Sequence, residues 1–153
     1  MSAIDARLAE LGISIPPVTK PVAAYVPAVI SGNLVFTAGQ LPFVDGALPA
    51  TGKVGREVSA DDAAGYARTC VLNALAAALS VIGSLDRVTR VVKVTGFVAS
   101  APDFTGQPGV LNGASLLIGD IFGDVGVHSR SAVGVAVLPL DSPVEVELIV
   151  EFA

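Results

Sequence analysis

Ser129–Pro139 reads SRSAVGVAVLP, and Pro143–Phe152 reads PVEVELIVEF. Both alternate with the two-residue period of an extended strand. In the first, Arg130, Ala132, Gly134, Ala136 and Leu138 share one face, and Ser131, Val133, Val135 and Val137 share the other. In the second, Val144, Val146, Leu148, Val150 and Phe152 form an apolar face, with Glu145, Glu147, Ile149 and Glu151 opposite. The pattern predicts strands over 131–138 and 144–152, joined across 139–143 as a final hairpin. A continuous apolar strand face must be covered by another layer.

Upstream, the chain supplies that layer. Ser59, with Asp62 three residues on, makes a capping-box-like start in which Asp replaces the usual Glu or Gln. The Ala- and Leu-rich run to Ile82 has high helix propensity, Ala63, Ala67, Cys70, Ala74 and Ala77 follow a helical stripe, and Gly83 stops it. Within Leu85–Ser100, VTRVVKVTGFVAS is a β-branched strand. A second helix falls within Asp103–Gly123 and starts near Pro108, a residue suited to a first turn. Earlier still, 22–30 and 33–38 read as strands about a tight turn at Ser31-Gly32-Asn33; Gly39 closes the second, and Asp45-Gly46 marks another turn. Residues 2–11 form a short amphipathic helix with Ser2 as cap, Ile4, Leu8 and Leu11 on one face, and Gly12 at its end. Pro16, Pro17 and Pro21 make Ile13–Pro21 an extended arm.

The order ββ, helix, β, helix, ββ is that of an α/β (α+β) domain: a mixed sheet with both main helices on one face. The other face then needs a cover, and a partner subunit is the natural one. The 153 residues fit one domain, and 52% hydrophobic against 15% charged is more apolar material than a monomer of this size needs, which again favours an oligomer. The bland alternative is a monomer with a Val- and Ala-rich core.

Several function classes are disfavoured. No apolar run reaches the ~18 residues of a membrane span; the greasiest region, Cys70–Ile82, is interrupted by Asn73 and Ser80. Asp5, Arg7 and Glu10 break up the first residues, so no signal peptide is read there, and a cytoplasmic location is expected. The single cysteine excludes an internal disulfide, and nothing has the spacing of a metal cluster. The net charge is −5, the nine Lys and Arg are scattered, and there is no Trp and only two Tyr, so neither a phosphate-binding stripe nor a stacking platform for nucleic acid is present.

Among residues able to carry chemistry, Arg130 stands out. The residues beyond it on its own face are small, which leaves room for a flat ligand, and a guanidinium fork suits a carboxylate. The same pattern equally suits a surface Arg at a strand end, with small residues admitting a close neighbour. The carboxylates of Glu147 and Glu151 read as a solvated face, and strand register alone decides whether Glu145 approaches Arg130. His128, the only histidine, is either a loop residue or one that reaches the same cleft. Cys70 reads as a packed small hydrophobe. Asp61-Asp62 reads as helix N-terminal charge.

Taken in order, Tyr25, Gly32-Asn33, the TAGQLP run of Thr37–Pro42, the RSAV run of Arg130–Val133, Leu138-Pro139 and the EVE of Glu145–Glu147 resemble the signature blocks of the Rid family, the YjgF-like imine deaminases formerly labelled endoribonuclease L-PSP. The resemblance spans roughly residues 20–153. It implies a chorismate-mutase-like fold with a six-stranded mixed sheet, and a homotrimer with active sites in clefts between subunits. It divides the chain into an N-terminal helix and arm (1–21) and a Rid-like domain (22–153). The activity it implies is hydrolysis of reactive enamine or imine intermediates, such as 2-aminoacrylate, to 2-keto acids and ammonia, without metal or organic cofactor. By the same resemblance Arg130 holds a substrate carboxylate and Glu145 assists the water. Tyr25, Ala38, Gly39, Phe97 and Ala132 line the cleft, with Gly39 where backbone approaches the ligand.

The chain also departs from the pattern. Ala38 stands where Ser is common, Ala132 where Cys is common, and Gly134 where Glu is common. Two readings therefore stand side by side: a cofactor-independent deaminase, and a non-catalytic trimer that binds small carboxylate metabolites. Neither has a nucleic acid or a membrane as partner.

Overall fold

Helix ends in this chain are written by short polar side chains. In the computed structural model, which describes residues 1–21 and 23–153, Ser2 Oγ accepts from Asp5 N at 3.1 Å, and the Asp5 carboxylate accepts in return from Ser2 N at 3.4 Å. This reciprocal cap starts helix α1, Ala3–Glu10. Ser59 caps α2, Ala60–Ile82, in the same way through Asp62 N, and Gly83 ends it at φ 80°, where a Cβ would be strained. Helix α3, Gln107–Phe122, has Pro108 in its first turn, where a missing N–H removes no helical bond.

Strands β1 (Ala28–Ser31) and β2 (Leu34–Thr37) form the expected hairpin. Gly32, at φ 61°, is the first of its two loop residues, as a II′ turn requires. The first strand is shorter than 22–30: residues 23–27 only bend, and Val22 lies outside the described residues. Strand β3 runs Val88–Ala99, β4 Ser129–Val135 and β5 Val144–Phe152. The sheet order is β1-β2-β5-β3-β4, antiparallel throughout except for the parallel pair β3–β4.

Two expectations are corrected here. The final strands are not a hairpin, because β3 lies between them. A parallel pair needs a crossover of a dozen or more residues, and α3 provides it, setting β4 on the outer side of β3. The chain then crosses over β3 through 136–143 to reach the slot between β3 and β2. A 3₁₀ turn at Pro139–Asp141 makes that bend, with Leu140 and Asp141 at positive φ (58° and 56°) and Lys53 Nζ bound to Asp141 Oδ1 at 2.8 Å. Among the described residues the sheet also has five strands rather than six. Between β2 and α2 the chain makes only single bridges, such as Gln40 with Val146 and Val54 with Ser100. Pro42, Pro49, Gly46, Gly52 and Gly55 interrupt any longer ladder there.

Both long helices cover one face. The apolar side of β5 (Val144, Val146, Leu148, Val150) and Val91, Val94 and Val98 of β3 are fully buried there, beneath Leu75 of α2 and Leu111, Leu117 and Ile118 of α3. Helices α2 and α3 touch at Gly113, where an added Cβ would lie 2.7 Å from the Ala64 carbonyl carbon. Helix α2 is long and apolar enough to cross a membrane, but its stripe of Ala63, Ala67, Cys70 and Ala74 is buried in this core. Helix α1 docks on the same layer through buried Leu8, Ile4 N to Asp86 Oδ1 (3.0 Å) and Arg7 Nε to Asp120 O (2.7 Å).

Among the described residues, the opposite face has no helix on it. Residues paired across a sheet point to the same side, so the registers set out its rows. Leu148, Val94 and Arg130 form one row beneath the helices, followed by Val146, Gly96 and Ala132. On the open side lie Glu145, Phe97 and Val133, then Glu147, Thr95 and Ser131. Phe36, paired with Ile149, and Val133 keep 38% and 43% of their surface exposed on that side.

Candidate functional site

Alternation puts Arg130 under α3, and α3 is built to receive it. Pro108, Asn112 and Ser115 are spaced four and three apart, so they line one edge of the helix. Arg130 Nη1 donates to Asn112 Oδ1 at 2.9 Å and to Ser115 Oγ at 3.2 Å, and Nη2 donates to Pro108 O at 3.3 Å. An arginine has five N–H donors. Three are engaged, and among the described residues Nε–H and one N–H of Nη2 make no bond within the chain. The guanidinium is half-buried and belongs to no salt bridge among the described residues.

The small residues on Arg130's face have a partner: the helix layer. Gly96 lies so close beneath Leu111 that a Cβ there would come within 2.8 Å of Leu111 Cδ2, and a Cβ on Gly134 would come within 2.7 Å of Gln107 Nε2. The close-neighbour reading of those small residues is therefore the one realised. Gln107 and Leu111 thus take up the room over Gly134 and Gly96.

Glu145 leaves β5 on the open face, beside Phe97 and next to Gly39. Four residues separate Phe36 from Gln40, yet their partners Ile149 and Val146 are three apart, so one extra residue bulges out between. The bulge brings the Gly39 backbone against the Glu145 carboxylate, and a Cβ at Gly39 would lie 2.8 Å from Glu145 Cδ. Burial raises the pKa of Glu145, and the like charge of Glu147, two residues on and on the same face, raises it further. A carboxylate whose pKa is raised is a better proton acceptor than an ordinary one.

Gly39 and Glu145 open into a cavity of about 810 Å³. Tyr25, Leu41, Phe43, Leu72 and Leu140 line it, and Ser14 and Pro16–Pro21 of the arm form one wall. Asn73 of α2 holds the 41–43 segment in place by donating to Leu41 O and Phe43 O at 2.9 and 3.1 Å.

The residues singled out from the sequence thus fall into two groups. Tyr25, Ala38, Gly39, Phe97 and Glu145 gather about the bulge and the cavity, while Arg130 and Ala132 sit under α3. Glu145 aligns with Phe97 and Val133 across three strands, two strands over and three residues along from Arg130, a Cα separation of about 14 Å. The two side chains also leave the sheet on opposite faces, so within one chain they do not meet. Cys70 is buried, and desolvation, then Glu145, raises its thiol pKa well above the ordinary value, which leaves it an inert core residue.

Sequence reasoning missed Ser115 and Pro108. Their spacing with Asn112 on α3 is visible in the chain, but only the parallel β3–β4 pairing brings that edge to Arg130. His128, open between a loop and a site role on sequence alone, lies in the loop before β4 and reaches Ser115 of α3. Its Nε2 lies 2.9 Å from Ser115 Oγ, and its Nδ1 lies 2.6 Å from Gly126 O.

Comparison with known proteins agrees with this architecture. Residues 5–152 match the model of a family described as "YjgF/chorismate_mutase-like, putative endoribonuclease". Protein TCP17 of Trypanosoma cruzi is 44% identical over 149 residues, covering 97% of this chain and 93% of its own. A crystal structure of a protein of unknown function from Agrobacterium tumefaciens is 45% identical with a TM-score of 0.91, over 98% of this chain and 93% of that one. The crystal structure of Escherichia coli TdcF with bound serine is 25% identical with a TM-score of 0.66, over 91% and 94% of the two chains. With the family model covering nearly every residue and the sheet, helices and signature runs in place, the chain belongs to the YjgF/chorismate mutase-like family.

Proposed function

We propose that this protein hydrolyses small 2-imino acids, and their enamine tautomers, to 2-keto acids and ammonia in a cleft between the subunits of a homotrimer. The observation that carries the reading is Arg130: it is held by three acceptors on α3 and has two N–H donors left over. Two donors suit the two oxygens of a carboxylate, and a half-buried site strengthens the pair. That a relative binds serine, a small amino acid, agrees with a ligand of this size and charge.

The opposed faces support an assembly in which subunits share the site. A base in the position of Glu145 reaches a ligand at Arg130 only if another subunit presents it, and the helix-free face, with exposed Phe36 and Val133, needs a cover. In the reaction, water oxygen bonds to the imine carbon and the C=N electron pair moves to nitrogen, which takes a proton. Glu145 accepts the proton the water loses and returns it to the nitrogen. The hydroxyl of the resulting carbinolamine then gives its own proton to Glu145, which passes it to the nitrogen as the carbon–oxygen double bond forms and the carbon–nitrogen bond breaks, releasing ammonia.

Arg130→Ala is the decisive variant. Imino acids generated by an amino-acid oxidase are followed to keto acid, and pyruvate binding is measured in parallel. Loss of both in a folded variant is the expected outcome; full imine hydrolysis by Arg130→Ala would refute the mechanism. A second reading, a binding module without turnover, is favoured by Ala38 and Ala132, which bring neither hydroxyl nor thiol to the site. Saturable pyruvate binding with no acceleration of any imino acid would establish it. The net charge of −5 and the scattered basic residues give RNA cleavage no comparable support.

A further inference from the structure

We infer that His128 is a positioning residue for Arg130 and acts through the hydroxyl of Ser115; the inference rests on Arg130 being the carboxylate anchor. With a neutral imidazole the hydrogen bonds have one consistent direction. Gly126 O can only accept, so the His128 nitrogen 2.6 Å from it, Nδ1, carries the hydrogen. In the neutral ring Nε2 then holds a lone pair. Ser115 Oγ, 2.9 Å away, must donate its hydrogen to Nε2. With that hydrogen committed, Ser115 turns only lone pairs toward Arg130, and Nη1 donates to it at 3.2 Å. Carbonyl, imidazole, hydroxyl and guanidinium form one directed chain.

Each link is held by packing. Gly126 is pressed against α3, where a Cβ would lie 2.8 Å from Ile118 O, so its carbonyl is not free to turn away. Ser115 sits one turn from Asn112 on the same edge of α3, and the two take both hydrogens of Nη1. Pro108 O holds Nη2 from the same helix. The guanidinium is thereby clamped through Nη1, and among the described residues Nε–H and one Nη2 hydrogen are left for a ligand. Without His128 the Ser115 hydroxyl can rotate and point its hydrogen at Nη1, replacing an attraction with a donor–donor clash. The chain's one histidine thus keeps a serine in the acceptor orientation beside an arginine.

The test measures pyruvate binding by titration calorimetry in the assembled protein with Ser115→Ala, Ser115→Thr, His128→Phe and the double variant Ser115→Ala/His128→Phe. Ser115→Ala and His128→Phe are each expected to weaken pyruvate about tenfold. Ser115→Thr, which keeps the hydroxyl, is expected to stay within about threefold of the wild type. The double variant is expected to be no weaker than the worse single, because both break one chain. With imino acid as substrate the loss should appear in KM, with kcat held within about threefold, as for an interaction equal in ground and transition states. Wild-type affinity in His128→Phe, or single losses that multiply in the double variant, would overturn the inference.

A ¹⁵N NMR measurement of the His128 ring stands apart from ligand binding. The Nδ1–H tautomer is expected, with an Nε2 shift that moves in Ser115→Ala. An Nε2–H tautomer, or an Nε2 shift indifferent to Ser115→Ala, overturns the relay even if Arg130 anchors pyruvate. Conversely, a wild type that binds no carboxylate sinks the anchor reading, and the NMR result still decides the relay.

Discussion

Gly39→Ala separates the chemistry of Glu145 from the stability of the fold. An ideal Cβ at this position lies 2.8 Å from Glu145 Cδ and 3.2 Å from Cγ, and overlaps Oε1. Carbon contacts settle at about 3.5–4.0 Å, so the carboxyl carbon must withdraw by roughly 0.7 Å, and its nearer oxygen by more. Only the end of a flexible side chain is in the way. Gly39 is not at positive φ, so alanine strains no backbone there. Alanine also stiffens the unfolded chain, an effect of about 0.4–1 kcal/mol in favour of folding. The net change in stability is expected within about 1 kcal/mol of zero, or a few degrees in Tm for a domain of this size. A displacement near 1 Å in a reacting group costs up to about a hundredfold in rate. Gly39→Ala is therefore expected to fold and assemble normally, bind pyruvate at Arg130, and lose one to two orders of magnitude in kcat for imine hydrolysis. Thermal unfolding and the oxidase-coupled assay read the two quantities on one preparation. Full kcat in Gly39→Ala would refute the placement of Glu145 as base, and a loss of stability as large as a core clash would refute the claim that only the carboxylate must move.

The contrasting glycine is Gly113. Its added Cβ meets the Ala64 backbone at the contact of α2 with α3, where nothing flexible can yield, so Gly113→Ala is expected to destabilise by about 2–3 kcal/mol in denaturant titration. Burial and then Glu147 hold the Glu145 carboxyl above its usual range. Activity dependent on ionised Glu145 should rise with pH through that raised value, and Glu147→Gln, by removing the like charge, is expected to move this acid limb of kcat/KM to lower pH. Stability has the opposite sign: a group whose pKa is raised on folding contributes below its unfolded value and loses that contribution as pH rises through the folded one, so Glu145→Gln should flatten the fall of Tm across that window. Val133→Asp puts a charge on the helix-free face beside Phe97 and is expected to convert a trimer to monomers in sedimentation velocity; an unchanged sedimentation coefficient would place the interface elsewhere.

Much of this molecule is legible residue by residue. The caps at Ser2 and Ser59, the stop at Gly83, the turn at Gly32 and the alternation along 129–135 and 144–152 each depend on neighbours within a few positions, and the structure keeps them. So does the direction of each side chain relative to its own strand: Arg130 shares a face with Ala132 and Gly134, and Glu145 shares one with Glu147. Periodicity carries no record of which strand lies alongside. A hairpin between the last two strands satisfies every local signal, yet the crossover through α3 inserts β3 between them. That one choice sends Arg130 beneath the helices and Glu145 to the open side, and it brings Ser115 and His128 to the arginine. By itself, the sequence determined the elements, their faces and the residue types suited to a carboxylate. Only the tertiary structure decided which of those residues meet, because strand order is set by the long-range crossover and by burial against helices far along the chain.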